Sequence, residues 1–126
     1  MLDQTLDVLR ALSDPTRLRL LAALDGEELT VQELQRILGL PQSRVSTHLG
    51  RLRDSGLAVD RVDGPHRFYR LVESAMNDSS RATWQALKAS LTDDPQIARD
   101  RQQREQILAE REGESWVDRV AGSTAR

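Results

Sequence analysis

The spacing of hydrophobic residues in this 126-residue chain changes at Gly56. Before Gly56, segment 41–55 places its apolar residues on one side of a helical wheel, as an amphipathic helix does. After it, segments 57–62 and 66–71 alternate between apolar and polar residues, as strands do. The dipeptide Asp63-Gly64 between these segments is typical of a tight hairpin turn. The pattern therefore requires a helix that leads directly into a two-stranded ribbon.

Three more helices are predicted upstream. The leucines of segment 2–12 recur at helical spacing, and Asp14 before a proline is a typical start of a second helix. Thr30 and Glu33 form a capping box that opens the third helix, and residues 39–41 form a short turn into the fourth. Helix, turn, helix and hairpin in this order predict a mainly α fold with a small β-hairpin, which is a winged helix-turn-helix.

The side of the fourth helix that should face water is unusual, because it carries no acid before Asp54. Its residues are small, hydroxylated or basic, and Gly50 among them is suited to a point of close approach. A helix in the major groove of DNA needs such short side chains, with hydroxyl and guanidinium donors for bases and phosphates. We therefore expect contacts to double-stranded DNA from Ser43, Arg44, Thr47, His48 and Arg51, with Gln42 and Ser46 at the rim of this face.

The charge of the chain is unevenly distributed. Segment 36–70 contains seven arginines and three acids, a net of +4, although the whole chain has a net charge of −2. A basic segment in an acidic chain indicates a polyanion-binding patch, although arginines can also simply solubilise a surface. We expect Arg61, Arg67 and Arg70 of the hairpin to contact phosphates.

Composition disfavours several other classes of function. The chain has no cysteine, which excludes disulfides, thiolate metal sites and a cysteine nucleophile. Aromatic residues are 3% of the chain, which argues against a cofactor site or a stacking platform for single strands. No apolar run approaches the ~18–20 residues of a membrane span, and residues 1–4 do not begin a signal peptide. We therefore expect a cytoplasmic protein with no cofactor and no membrane partner.

Neither a catalytic nor a metal site is predicted. Ser43, His48 and Asp54 diverge around one helix, whereas a Ser-His-Asp relay must converge in a sheltered pocket. His48 and His66 have no carboxylates at ligand spacing. We interpret both histidines as DNA contacts or partly buried residues, and we expect no enzyme activity.

Residues 5–72 carry a resemblance to a known family. The segments "LRALSDPTRLRLLAAL" (9–24), "LGLPQSRVSTHLGRLRDSGL" (38–57) and "DGPHRFYRL" (63–71) resemble the ArsR family of bacterial repressors. The resemblance implies a homodimer on an inverted-repeat operator, released by an effector. It also implies a dimer interface formed by the first helix and a helix after the wing, here with Leu2, Leu6, Leu9, Trp84, Leu87 and Leu91.

The resemblance fails at the position where metal-sensing members bind their metal. Those members resemble "ELCVCDL" in the third helix, whereas this chain has "ELTVQEL", with Thr30 and Gln32 in place of the two cysteines. Thr30 already has a role as a helix cap. We therefore expect an effector that is a small molecule other than a metal, and its identity stays open.

The last third of the chain is predicted to be separate from the DNA-binding part. We expect a DNA-binding and dimerisation domain over 1–91, and a polar helical arm or linker over 92–126 that is frayed at its end. The segment "ILAEREGESWVDRVAG" (107–122) resembles the linker that joins ArsR-type domains to methyltransferase domains in fusion proteins. One alternative is therefore the DNA-binding part of a longer regulator with a methyltransferase domain. Another is a helix-turn-helix reused for protein contact.

Overall fold

The computed structural model describes residues 2–125, with side chains described over 2–114. The elements in chain order are α1 (Leu2–Leu12), α2 (Pro15–Leu24), β1 (Leu29–Thr30), α3 (Val31–Leu38), α4 (Gln42–Asp54), β2 (Val59–Asp63), β3 (His66–Arg70), a single 3-10 turn (Glu73–Ala75), α5 (Asp78–Leu91) and α6 (Pro95–Ala125). The predicted order of helix, turn, helix and wing is confirmed. Among residues 2–125, no helix combines the length and apolar character that a membrane span requires.

The helix boundaries follow from capping groups that the sequence makes visible. The Asp14 carboxylate accepts the backbone N–H of Arg17 at 3.1 Å and caps α2. Thr30 Oγ1 accepts the Glu33 N–H at 3.1 Å, and the Glu33 carboxylate accepts the Thr30 N–H at 2.9 Å, which completes the predicted capping box of α3. Gly39 then ends α3 in the left-handed region, at φ 69°, where a glycine has no steric cost. Helix α3 is therefore capped at both ends, and Gly39 sets where the turn into α4 begins.

The wing is a three-stranded sheet rather than an isolated hairpin. Its strand order is β1-β3-β2, with all neighbours antiparallel. The predicted turn is present, with Asp63 opposite His66 and Gly64 at φ 60°. The additional strand β1 has two residues and pairs Leu29 with Tyr69. This pairing joins the base of the wing to the start of α3.

The core consists mainly of leucines from α2, α3 and α4, with the inner face of the wing. Its largest fully buried members are Trp84, Leu20, Leu21, Leu24, Leu29, Leu34, Leu49, Leu52, Leu57 and Val45. Trp84 of α5 is only 1% exposed in the single chain. Its own chain therefore already covers it, and its expected role in a dimer interface stays a prediction.

The prediction of a separate polar arm after α5 is wrong for the first half of α6. Ile97 and Ile107 are buried, and α6 packs against α2 and α3. Asp100 is buried at 4% exposure and accepts hydrogen bonds from Arg19 of α2. Charged residues that looked solvated in the sequence thus have partners in the DNA-binding part. The expected fraying concerns residues whose side chains lie outside the description, and the backbone there is helical to Ala125.

Candidate nucleic-acid interface

Helix α4 presents the predicted contact residues to solvent because its opposite side is fixed in the core. Val45, Leu49 and Leu52 have no exposed surface. Six of the seven predicted contacts on this helix are exposed: Gln42, Ser43, Arg44, Ser46, Thr47 and Arg51. A continuous face without acids therefore extends along α4 from its first residue to Arg51.

The two predicted arginines of this face are available for an external partner. Arg51 is exposed and forms no ion pair with any described side chain. Arg44 Nη2 lies 3.5 Å from Thr16 Oγ1, at the long limit of a hydrogen bond. Neither guanidinium is paired with a carboxylate of the described residues, so both can donate to phosphates or base edges.

Small residues keep the rest of the face flat. The Thr47 hydroxyl donates to the Ser43 carbonyl at 2.8 Å, so it lies against its own helix. A Cβ added at Gly50 would meet only Arg53 Nη2, at 3.9 Å, which is ordinary van der Waals contact. Glycine at this position is therefore not required by packing within the described part of the chain.

His48 is half-buried at the border of this face and is held by Arg17. Arg17 Nη1 lies 3.2 Å from His48 Nδ1, and a guanidinium can only donate. The contact therefore requires His48 Nδ1 to be the acceptor. The ring is thus partly buried with Nδ1 occupied, and a contact from His48 to DNA stays a prediction.

Sequence reasoning missed Arg17. Its guanidinium also donates to the Ala11 carbonyl at 2.5 Å and to the Arg10 carbonyl at 2.8 Å. One side chain thus connects the end of α1, the start of α2 and the border of α4. Hydrophobic periodicity gives no signal for such a residue, because its partners are backbone carbonyls and a histidine 31 positions away.

The wing arginines are in a different situation from those of α4. Arg61 donates to both carboxylate oxygens of Glu28, at 2.8 Å from Nε and 2.6 Å from Nη2. Hydrogen bonds from Arg61 hold the pKa of Glu28 below its usual value, and the same contact raises the pKa of Arg61. Arg61 also lies 3.6 Å from Asp63.

A second carboxylate on the wing, Asp60, holds two arginines. Arg67 Nη1 is hydrogen-bonded to Asp60, and Arg53 Nη1 of α4 lies 3.6 Å from the same oxygen. Arg70 is exposed and forms no ion pair with a described side chain. Of the three predicted phosphate contacts, Arg61 and Arg67 are thus already paired, and Arg70 is not.

Neither His66 nor Thr30, which stands at the position of the metal-sensing motif, belongs to a metal site among the described side chains. His66 is exposed on the wing and lies edge-on to Phe68, with ring centroids 6.2 Å apart. Thr30 uses its hydroxyl as the α3 cap. Among the described side chains, no group of three or more His, Asp or Glu residues is arranged to hold a metal ion.

Helix α1 carries apolar surface that its own chain does not cover. Leu2 is 71% exposed and Leu9 is 45% exposed, which makes them two of the exposed large apolar residues of the described chain. Leu6 is half-buried, and Leu87 and Leu91 of α5 are partly buried against the core. The part of the expected dimer surface that remains open is therefore mainly on α1.

Comparisons with known proteins agree with this geometry. The family model described as "Bacterial regulatory protein, arsR family" matches residues 14–59. The transcriptional regulator CmtR of Mycobacterium bovis is 39% identical over 89 residues, which cover 71% of this chain and 75% of CmtR. The regulator KmtR of Mycobacterium tuberculosis is 43% identical over 65 residues, 52% of this chain and 50% of KmtR. The match therefore spans only half the length of KmtR.

A solved structure shows the same architecture as a dimer. The homodimeric winged helix-turn-helix DNA-binding domain of Mb0332 from Mycobacterium bovis superposes with a TM-score of 0.61 and 28% identity. The superposition covers 71% of this chain and 79% of that one.

Proposed function

The chain belongs to the ArsR family of bacterial regulatory proteins, whose members are DNA-binding transcriptional regulators, and from this premise we propose its specific role. It represses transcription in the cytoplasm as a homodimer bound to an inverted-repeat operator. The observation that carries this proposal is the exposed face of α4, which has no acid from Gln42 to Arg51. Acids on that face would repel phosphates, and long side chains would keep the helix away from base edges.

The proposed role of each arginine depends on whether it is already paired with a carboxylate. Arg44 and Arg51 read DNA directly from α4, together with Ser43 and Thr47. Gln42 and Ser46 contact it from the rim. Arg70 contacts phosphate from the wing without first losing a carboxylate partner, whereas Arg61 and Arg67 must exchange theirs. Positioning contacts to phosphate and specific contacts to bases are thus made by different elements.

We propose that a second copy of the chain covers the exposed apolar surface of α1. Leu2 and Leu9 expose apolar surface that is unfavourable in water, and the solved Mb0332 domain is homodimeric. Leu6, Leu87 and Leu91 complete the proposed interface, and Trp84 supports it from within the core. Two copies related by a two-fold axis would match an operator with inverted symmetry.

The proposed effector is a small molecule other than a metal, and we propose no catalytic activity. Thr30 Oγ1 accepts the Glu33 N–H, so the residue in place of a family cysteine serves the fold. His48 Nδ1 is occupied by Arg17, and Asp54 is paired with Arg53 at 3.4 Å. Among the described side chains, His48 and Asp54 thus have separate partners, and we propose no relay between them and Ser43.

Fluorescence anisotropy tests the proposal. The purified chain is titrated onto a duplex from upstream of its own gene and onto a scrambled duplex of equal length, over a series of salt concentrations. We expect preference for the native duplex, with affinity that falls steeply as salt rises. Equal, weak binding to both duplexes would contradict an operator at this site and favour a helix-turn-helix used for protein contact.

A further inference from the structure

Two of the three wing arginines are neutralised by carboxylates of their own chain. Arg61 is paired with Glu28 and Arg67 with Asp60, whereas Arg44 and Arg51 of α4 have no carboxylate partner among the described side chains. The net positive charge that the wing presents to a ligand is therefore smaller than its three arginines suggest. This arrangement raises the question of what a carboxylate does beside a proposed phosphate contact.

The Arg61–Glu28 pair has the geometry by which a guanidinium binds phosphate. Nε and Nη2 donate to the two oxygens of Glu28 at 2.8 and 2.6 Å, as in a bidentate fork. The remaining side of the guanidinium lies over the Phe68 ring, with Cζ 4.6 Å from the ring centroid. Both the donor edge and one flat face of Arg61 are thus in use, although its side chain is 48% exposed.

Glu28 is held in this position by the sheet and by α6. It directly precedes β1, whose two residues pair with Tyr69 and Phe68 of β3. Its backbone carbonyl accepts a hydrogen bond from Arg111 Nη2 at 3.3 Å. The backbone of Glu28 is therefore held beside the base of the wing, within reach of Arg61.

We propose that Glu28 competes with DNA phosphate for the Nε–Nη2 edge of Arg61 and so sets the DNA affinity and salt dependence of the wing. To present this edge to a phosphate, Arg61 must leave Glu28, and the freed carboxylate then lies beside the DNA backbone. Any duplex meets this obstacle, because phosphates are the same in every sequence. Glu28 thus lowers affinity for non-specific DNA and for the operator by a similar factor.

The salt dependence of binding distinguishes this role from a structural one. A free arginine that neutralises a phosphate releases about 0.9 counterions from the duplex, whereas an exchange of Glu28 for phosphate releases almost none. The variant Glu28→Gln removes the bidentate partner of Arg61 and leaves its 3.6 Å contact with the exposed Asp63, so the slope of log K against log salt should steepen by up to about 0.9. At 0.1 M salt this corresponds to roughly three- to tenfold tighter binding to a scrambled duplex.

Glu27→Gln is the matched control, because it makes the same change of charge one residue away. Among the described side chains, Glu27 has no ion-pair partner. The full chain with each substitution is titrated onto the native and scrambled duplexes, after circular dichroism shows that both variants are folded. We expect Glu28→Gln, relative to Glu27→Gln, to show the steeper slope and tighter binding to both duplexes, with a similar ratio of native to scrambled affinity. Adding Arg61→Gln to Glu28→Gln should remove both effects.

Two results would overturn the inference while leaving the proposed function intact. Equal slopes for the two variants would show that Arg61 does not reach DNA. Weaker binding by Glu28→Gln would show that the pair positions the wing instead of competing with phosphate. The inference rests on the proposed function, which fails separately if the wild-type chain binds neither duplex at the lowest salt concentration.

Discussion

Asp100 accepts two hydrogen bonds from Arg19, at 2.7 and 2.9 Å, across 81 positions of sequence. The same guanidinium donates to the carbonyl of Leu38 at 2.8 Å, at the end of α3 and directly before the turn into α4. Helix α6 is therefore connected through Arg19 to the turn of the helix-turn-helix. A buried carboxylate on a polar helix thus serves the orientation of the DNA-binding helices.

Asp100→Asn should destabilise the protein by about 3 kcal/mol, because Arg19 would retain a charge without its buried partner. Urea unfolding at a fixed protein concentration measures the change. Glu110→Gln is the control on the same helix, since its pair with Arg36 is exposed and should be worth about 0–1 kcal/mol. Equal, small effects in both variants would show that α6 is not part of the stable fold.

Arg44→Ala and Arg51→Ala should each weaken operator binding by about 1–3 kcal/mol, the usual value of one good contact. Both side chains are exposed, so the free energy of unfolding should hardly change. Arg99→Ala on α6 removes the same charge from an exposed position far from this face in sequence, and should leave affinity nearly unchanged. The assignment of α4 as the reading helix fails if both variants bind the operator like the wild type.

Gly50→Ala should make the fold more stable and the operator complex weaker. Alanine is better than glycine inside a helix by about 1 kcal/mol, and a Cβ at this position meets only Arg53 Nη2, at 3.9 Å. If DNA approaches the backbone there, the added methyl group should cost about 1 kcal/mol or more of operator affinity. Thermal unfolding and anisotropy measure the two effects. Gly113→Ala on α6 is the control, and unaltered operator affinity in Gly50→Ala would refute the close approach.

Thr30→Ala should lower the free energy of unfolding by about 1 kcal/mol through loss of the α3 cap. Thr30→Ser keeps the hydroxyl and should restore most of this stability. The response of the operator complex to added divalent metals should be the same in the wild type and in both variants. Loss of a metal response in Thr30→Ala alone would show that this position senses a metal after all.

The elements predicted correctly from the sequence are those whose signals lie within a few residues. The capping box joins Thr30 to Glu33, and the hairpin turn lies between adjoining strands. The exposed face of α4 follows from the spacing of Val45, Leu49 and Leu52, because a helix that buries one side must expose the other. Local periodicity and capping therefore determine most of the fold and most of the candidate site.

The features that the sequence did not reveal depend on partners far along the chain. Asp100 looks solvated until Arg19 is brought beside it, and the thin apolar stripe of this segment predicts an arm. Glu28 lies outside the basic segment, 33 positions before Arg61. The net charge of that segment therefore overestimates how many wing arginines are free to bind phosphate. Strand β1 is too short for any periodic signal. In each case the partner residue is brought close only by the tertiary fold, so residue spacing along the chain cannot predict it.

The most direct test of the account places one acid in the centre of the α4 face. Thr47→Glu adds a negative charge at an exposed position, and Gln103→Glu adds the same charge at an exposed position of α6. Anisotropy titrations of both folded variants onto the native upstream duplex compare them with the wild type. We predict that Thr47→Glu abolishes detectable operator binding while Gln103→Glu binds nearly as the wild type does. Operator binding by Thr47→Glu at wild-type strength would contradict the claim that this face of α4 reads DNA.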